Sequence, residues 1–123
     1  PHVGRKDLVE KFLAKGYSRQ EAVYAAMVGS IDESVGRVRK ALSEKKLADN
    51  TIILLISDQG GFYSNHPLSG GKIGGNTLGE GGARVPFLIH YPNVTKPGSV
   101  SNTPIQTIDV FPTIAEIALG KPY

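Results

Sequence analysis

The sequence predicts an α/β chain of buried, mainly parallel strands flanked by helices, and three observations carry that prediction. Ile52 to Ile56 is an unbroken run of large aliphatics bounded by Asp49-Asn50 and Gly60-Gly61, the pattern of a strand covered on both faces. Val23, Met27, Ile31, Val35, Val38 and Leu42 recur at intervals of three or four residues, drawing one apolar stripe along about six helical turns. Strand and helix patterns alternate along the chain, as layered α/β architectures require. At 123 residues the chain has the length of one domain.

Taken in order, Pro1 to Arg5 is an irregular entry. Leu8, Phe12 and Leu13 fall at helical spacing within Lys6 to Lys15, and Gly16 is placed to stop that helix. Ser18 and Glu21 form an S-x-x-E capping box, where each side chain satisfies a backbone donor at the start of the long helix that carries the apolar stripe. Gly36 weakens that helix and offers a point of close packing. After the Ile52 to Ile56 strand comes a long loop, Gly60 to Gly82, holding nine of the fifteen glycines, a length that is usually functional. Val85 to Tyr91 reads as a second buried strand with Pro86 at its start, His90 packed within it and Pro92 at its end. Asp109 to Leu119 reads as a last helix with Pro112 in its first turn, Val110, Ile114 and Ile117 inward, and Gly120 as its stop. Two strands are few for a self-sufficient parallel sheet. Their unpaired edges call for neighbours, from sequence absent here or from a second copy of the chain, so a homo-oligomer through the sheet edges is one expectation.

Composition removes several function classes. Cysteine is absent, and with it disulfide frameworks, thiolate metal sites and cysteine nucleophiles. The net charge is +3, scattered except for short clusters at Arg37 to Lys40 and Lys45-Lys46, and no basic stripe is interleaved with aromatics, so nucleic acid is not an expected partner. No apolar run approaches the roughly 20 residues that span a bilayer, so neither is a membrane. The chain opens at Pro1 without methionine and is expected to be a processed or excised piece.

The first candidate site lies at the carboxyl end of the first strand, where open α/β sheets place their ligands. Asp58 and Gln59 stand there side by side, a carboxylate and an amide oxygen, hard ligands suited to Ca²⁺ or Mg²⁺. On local pattern alone an ordinary strand-ending turn, which favours the same residues, is an equal reading. The Gly70-Gly71-Lys72 triplet does not meet the phosphate-loop spacing, since Ile73 follows the lysine, so nucleotide binding by that mechanism is disfavoured.

Four ordered blocks together resemble the later half of a sulfatase catalytic domain, in the alkaline-phosphatase-like superfamily. Y-A-A-M-V-G-S-I-D-E-S-V-G-R-V from Tyr24 resembles the family's long helix before the site, and D-N-T-I-I-L-L-I-S-D-Q-G-G from Asp49 resembles its metal-site strand. P-L-S-G-G-K and G-E-G-G-A-R-V-P-F resemble the loop that brings a lysine to sulfate, and T-P-I-Q-T-I-D-V-F-P-T-I-A-E-I-A resembles the helix that follows. The resemblance implies a partial alkaline-phosphatase-like sandwich over residues 1–123, a single partial catalytic domain without the nucleophile-bearing N-terminal half.

It further implies that Asp58 and Gln59 ligate a divalent cation, usually Ca²⁺, and that Lys72 holds a sulfate oxygen and stabilises charge developing on the ester oxygen. Pro1-His2, followed by a helix containing V-E-K-F, resembles the place where the family presents a histidine near the leaving group, and His2 takes that role. His66 lies near the expected substrate mouth, where it either selects substrate or is solvated. Glu80 and Arg84 are expected to pair and hold the loop together. Gln59 stands where asparagine is commonest in the family, and the interval from Lys72 to Glu80 is longer than usual. The family's formylglycine, made from the Cys or Ser of a C/S-x-P-x-R motif, has no such motif here, and the paired aspartates that complete the metal site are missing as well. The implied function is a sulfuric-ester hydrolase fragment, inactive alone, with a sulfate ester as substrate and a periplasmic or secreted location suggested by the family. Alternatives are a phosphodiester or phosphonate hydrolase of the same superfamily, or a non-catalytic self-associating remnant or binding module.

Overall fold

The computed structural model describes residues 3–73 and 78–122. His2 lies outside the described residues. Helix α1 spans Lys6–Leu13, and the chain passes Gly16 at φ +88°, a left-handed stop, before α2 begins. Helix α2 runs unbroken over Arg19–Glu44, opened by the Ser18–Glu21 capping box, in which the Glu21 carboxylate accepts from the Ser18 N–H at 3.0 Å and from its hydroxyl at 2.6 Å. Those hydrogen bonds from Ser18 hold the Glu21 carboxyl below its ordinary range.

The buried core lies between α1 and α2. Leu8 and Val9 of α1 bury against Ala22 and Ala26 of α2, with Phe12 and Val23 packed beside them. Small side chains make this possible: Ala22, Ala26 and Gly29 line one edge of α2, and Leu8 and Phe12 come within 4 Å of where a side chain at Gly29 would begin. The close approach therefore occurs at Gly29 and not at Gly36, which has open space around it. Arg5 ties the start of α1 to the middle of α2 by pairing with both Asp7 and Glu33. The Arg5 hydrogen bond lowers the Asp7 carboxyl to about 2.

Strand β1 spans Ile53–Ile56 and β2 spans Phe87–His90. They pair antiparallel, with Ile53 opposite His90 and Ile56 opposite Phe87, which corrects the expectation of parallel strands. A parallel return usually needs a crossover helix lying on the sheet, whereas the described residues between the two strands hold one helical turn, α3 at Glu80–Ala83. Nor are the strands buried on both faces. Leu55, Leu88 and Ile89 are exposed, and so is His90, which is not packed as expected.

Helix α4, Val110–Leu119, follows a 3-10 turn at Thr107–Asp109 and ends at Gly120 with φ 64°. Its Val110 and Ile114 face Leu54, Phe87 and Ile89 of the sheet across an apolar cleft of about 170 Å³. On the opposite side, Ile31, Val35 and Val38 of α2 and Ile53 of β1 border an open apolar groove of about 380 Å³. Two of the six stripe residues therefore stay in solvent, Ile31 at 56% and Val38 at 55% exposed. The total accessible surface of 9795 Å² is well above the roughly 6,400 Å² of a compact monomer of this length. Among the described residues no helix is long and apolar enough to cross a membrane.

Candidate functional site

Three short backbone segments meet beyond the carboxyl end of β1: residues 57–63, 68–72 and 79–85. Ser57 continues the sheet by donating its N–H to the Pro86 carbonyl at 3.2 Å. The Gly60 N–H donates to Gly82 O at 3.2 Å, the Gly81 N–H to Ser69 O at 2.6 Å, and the Lys72 N–H to Gly61 O at 3.1 Å. The backbones approach so closely that a Cβ at Gly60 would lie 1.7 Å from Gly81 O, and one at Gly81 would lie 2.4 Å from Gly70 O. The glycine density of this loop thus serves contact between backbones, which any side chain would block.

This packing brings Lys72 to Asp58. The lysine Nζ donates to Asp58 Oδ2 at 2.7 Å, across fourteen residues of sequence. The ammonium also lies 6.0 Å from the centre of the Phe62 ring. Lys72 is mostly covered, its side chain 33% exposed, whereas the Asp58 side chain is 75% exposed and open to a further cation or solvent. The hydrogen bond from Lys72 is the main cause holding the Asp58 carboxyl below its ordinary value.

The other candidates are dispersed. Gln59 is exposed, and its backbone carbonyl accepts from the Ser57 hydroxyl at 2.7 Å. His66 is exposed, precedes a cis bond to Pro67, and donates its backbone N–H to Ser64 Oγ at 3.3 Å. Glu80 and Arg84 pair at 3.5 Å one helical turn apart. Among the described residues, no group of three or more His, Cys, Asp or Glu side chains is placed to hold a metal ion.

Two residues that sequence reasoning passed over contribute most to the shape of the loop. Asn65 bonds to the backbone of both the Asp58 and the Lys72 segments. Tyr24 of α2 stacks edge-on against Phe62 and Tyr63 with ring centres 6.0 and 5.2 Å away, anchoring the loop to the helix. The signal for Asn65 was present in Ser64-Asn65-His66-Pro67, a turn composition in which asparagine habitually bonds to nearby backbone. Tyr24 carried no such signal, because an aromatic at the edge of a helical stripe is ordinary core.

A family model described as Sulfatase matches residues 3–121. The chain belongs to the sulfatase family. Its sequence is 40% identical to a protein named Sulfatase from Formosa agariphila over 95% of this chain and 23% of that protein. It is 36% identical to human steryl-sulfatase over 84% of this chain and 19% of the relative. A third sulfatase relative, N-acetylglucosamine-6-O-sulfatase from Bacteroides thetaiotaomicron, is 34% identical over 83% of this chain and 18% of its own length. The chain thus spans about a fifth of the length of these sulfatases. Its mixed helices and small antiparallel sheet are consistent with a partial α/β sulfatase domain.

Proposed function

We propose that this chain is the part of a sulfuric-ester hydrolase that supplies a sulfate-contacting lysine and two oxygen ligands of a divalent cation, and that it does not turn over substrate by itself. The observation that carries this reading is the Lys72–Asp58 contact at 2.7 Å, assembled by a glycine loop in a chain of the sulfatase family. A mostly covered ammonium at the carboxyl end of a strand suits an anionic sulfate oxygen, and its fixed charge offsets the negative charge that builds on a departing ester oxygen. Asp58 and Gln59 fit Ca²⁺ in kind, being hard oxygen donors, and the 75% exposed carboxylate that already draws one cation leaves room for another. When bound, such a cation neutralises sulfate charge. Two ligands of the six to eight that Ca²⁺ prefers give weak binding, so the remaining donors come from other sequence. Asp58 and Gln59 would hold the cation, and Lys72, next to Asp58 in the structure, would donate to the sulfate oxygen.

The surface supports the partial character of the domain. Its excess over a compact monomer, on the order of 3,000 Å², is what a domain core cut open exposes. His2 as a leaving-group donor and His66 as a substrate contact belong to this reading as well. So does a formylglycine nucleophile from upstream sequence.

The test uses the protein as its organism makes it. An intact mass several times that of 123 residues, together with hydrolysis of a chromogenic aryl sulfate, is expected. In that protein Lys72→Met lowers kcat/KM by about 100- to 1,000-fold, the usual cost of removing one charge-stabilising donor. Unchanged turnover in that variant would overturn the assignment of Lys72, and preference for a phosphate diester would move the chain to another hydrolase class. A second reading, a self-associating non-catalytic remnant, is favoured by the outer edges of β1 and β2, which pair with no further strand among the described residues, and by the open groove beside α2. A native product of this chain's own mass that sediments as a dimer would select it.

A further inference from the structure

We propose that Asn65 is the positioning residue that sets Lys72 against Asp58, an assignment that deepens the sulfate-site reading and takes its functional meaning from it. The loop must join two segments of different origin, one leaving β1 with Asp58 and the other carrying Lys72. A single side-chain amide does this. Asn65 Oδ1 accepts from the Gly61 N–H at 3.0 Å, while its two Nδ2 hydrogens are shared among Gly70 O at 2.9 Å, Tyr63 O at 3.1 Å and Gly61 O at 3.2 Å. All four partners are main-chain groups, so the amide replaces a backbone ladder where the chain cannot form one.

The Gly61 peptide is the node of this arrangement. Both its N–H and its carbonyl engage Asn65, and the same carbonyl accepts from the Lys72 N–H at 3.1 Å. Gly61 lies three residues after Asp58 and Gly70 two before Lys72, so fixing these two peptides against each other fixes the separation of the two charged side chains. The residue type is demanded by the bonding: an acceptor and two N–H hydrogens are needed on one short side chain. Aspartate cannot donate and would set a negative charge against three carbonyls. Alanine offers neither function. The loop also leaves space for the amide at Gly71, where a Cβ would fall 2.6 Å from Asn65 Nδ2 and 2.7 Å from Gly61 O.

The experiment is nuclear magnetic resonance on the full isotope-labelled chain, comparing wild type with Asn65→Ala, Asn65→Asp and Gly71→Ala. Two signatures are read: cross-relaxation between the Lys72 ammonium and the Asp58 side chain, and hydrogen exchange at the Lys72 amide. All three variants are expected to lose the cross-relaxation and to speed exchange at Lys72 about tenfold, the effect of one or two lost hydrogen bonds. Amides between α1 and α2 should keep wild-type protection. Gly71→Ala matters because it disturbs the amide while leaving Asn65 in place. A retained Lys72–Asp58 signal in Asn65→Ala would overturn the proposal, and so would loss of protection throughout α1 and α2, which would make Asn65 a general folding residue. Because the readout is a contact and not turnover, it fails or succeeds independently of the Lys72→Met assay for sulfate-ester hydrolysis.

Discussion

Replacing Gly60 by alanine tests whether the glycine loop is built on contact between backbones. The added Cβ would sit 1.7 Å from Gly81 O, 2.8 Å from Gly81 C and 3.2 Å from Gly82 Cα. All three neighbours are main-chain atoms and cannot swing away as the end of a side chain could. Relief requires moving the segment around Gly81 outward by more than an ångström, which costs about 1–3 kcal/mol of overpacking strain. That movement also breaks the 3.2 Å bond from the Gly60 N–H to Gly82 O, adding about 1 kcal/mol. A total of about 2–4 kcal/mol corresponds to local opening about 30- to 1,000-fold more frequent, since 1.36 kcal/mol is a factor of ten. Native-state hydrogen exchange at the Gly60 and Gly81 amides reads this directly. Exchange at both sites equal to wild type in Gly60→Ala would refute the reasoning.

Other perturbations follow from the same geometry. Gly36→Ala meets open space on α2, so it should stabilise the helix by up to about 1 kcal/mol and raise the melting temperature measured by circular dichroism. Gly4→Ala does the reverse, because its Cβ would meet Val9 Cγ2 at 2.9 Å and the Ala26 Cβ and Val23 carbonyl at 3.0 Å; a loss of about 1–3 kcal/mol is expected in urea denaturation. Arg5 lowers the Asp7 carboxyl from 3.8 to about 2. The stabilisation that the Arg5–Asp7 pair gives the start of α1 is therefore fully present above about pH 4 and is lost as the pH falls toward 2. Acid unfolding monitored at α1 should shift less in Asp7→Asn, since that variant has no carboxylate to protonate there.

The sequence by itself determined the local elements and the family. Periodicity, the Ser18–Glu21 box and the stops at Gly16 and Gly120 located the helices, because those features act within a turn or two of chain. The aliphatic run found β1 to within one residue, and four ordered motifs identified the sulfatase family. Strand direction was not legible: an aliphatic run of this length is compatible with either pairing, and only the tertiary structure sets it antiparallel to β2. Nor was burial. Helix α2 seats its small residues Ala22 and Ala26, with only Val23 of the predicted stripe packed beside them, and leaves Ile31 and Val38 of that stripe in solvent, because burial depends on what lies opposite and the stripe records only one side. The sequence placed Asp58 and Lys72 in one loop region, but their 2.7 Å contact depends on Asn65 and on glycine backbones touching across twenty residues. Contacts of that kind are made between main-chain groups, which every residue carries alike, so only the tertiary structure could decide which of them meet.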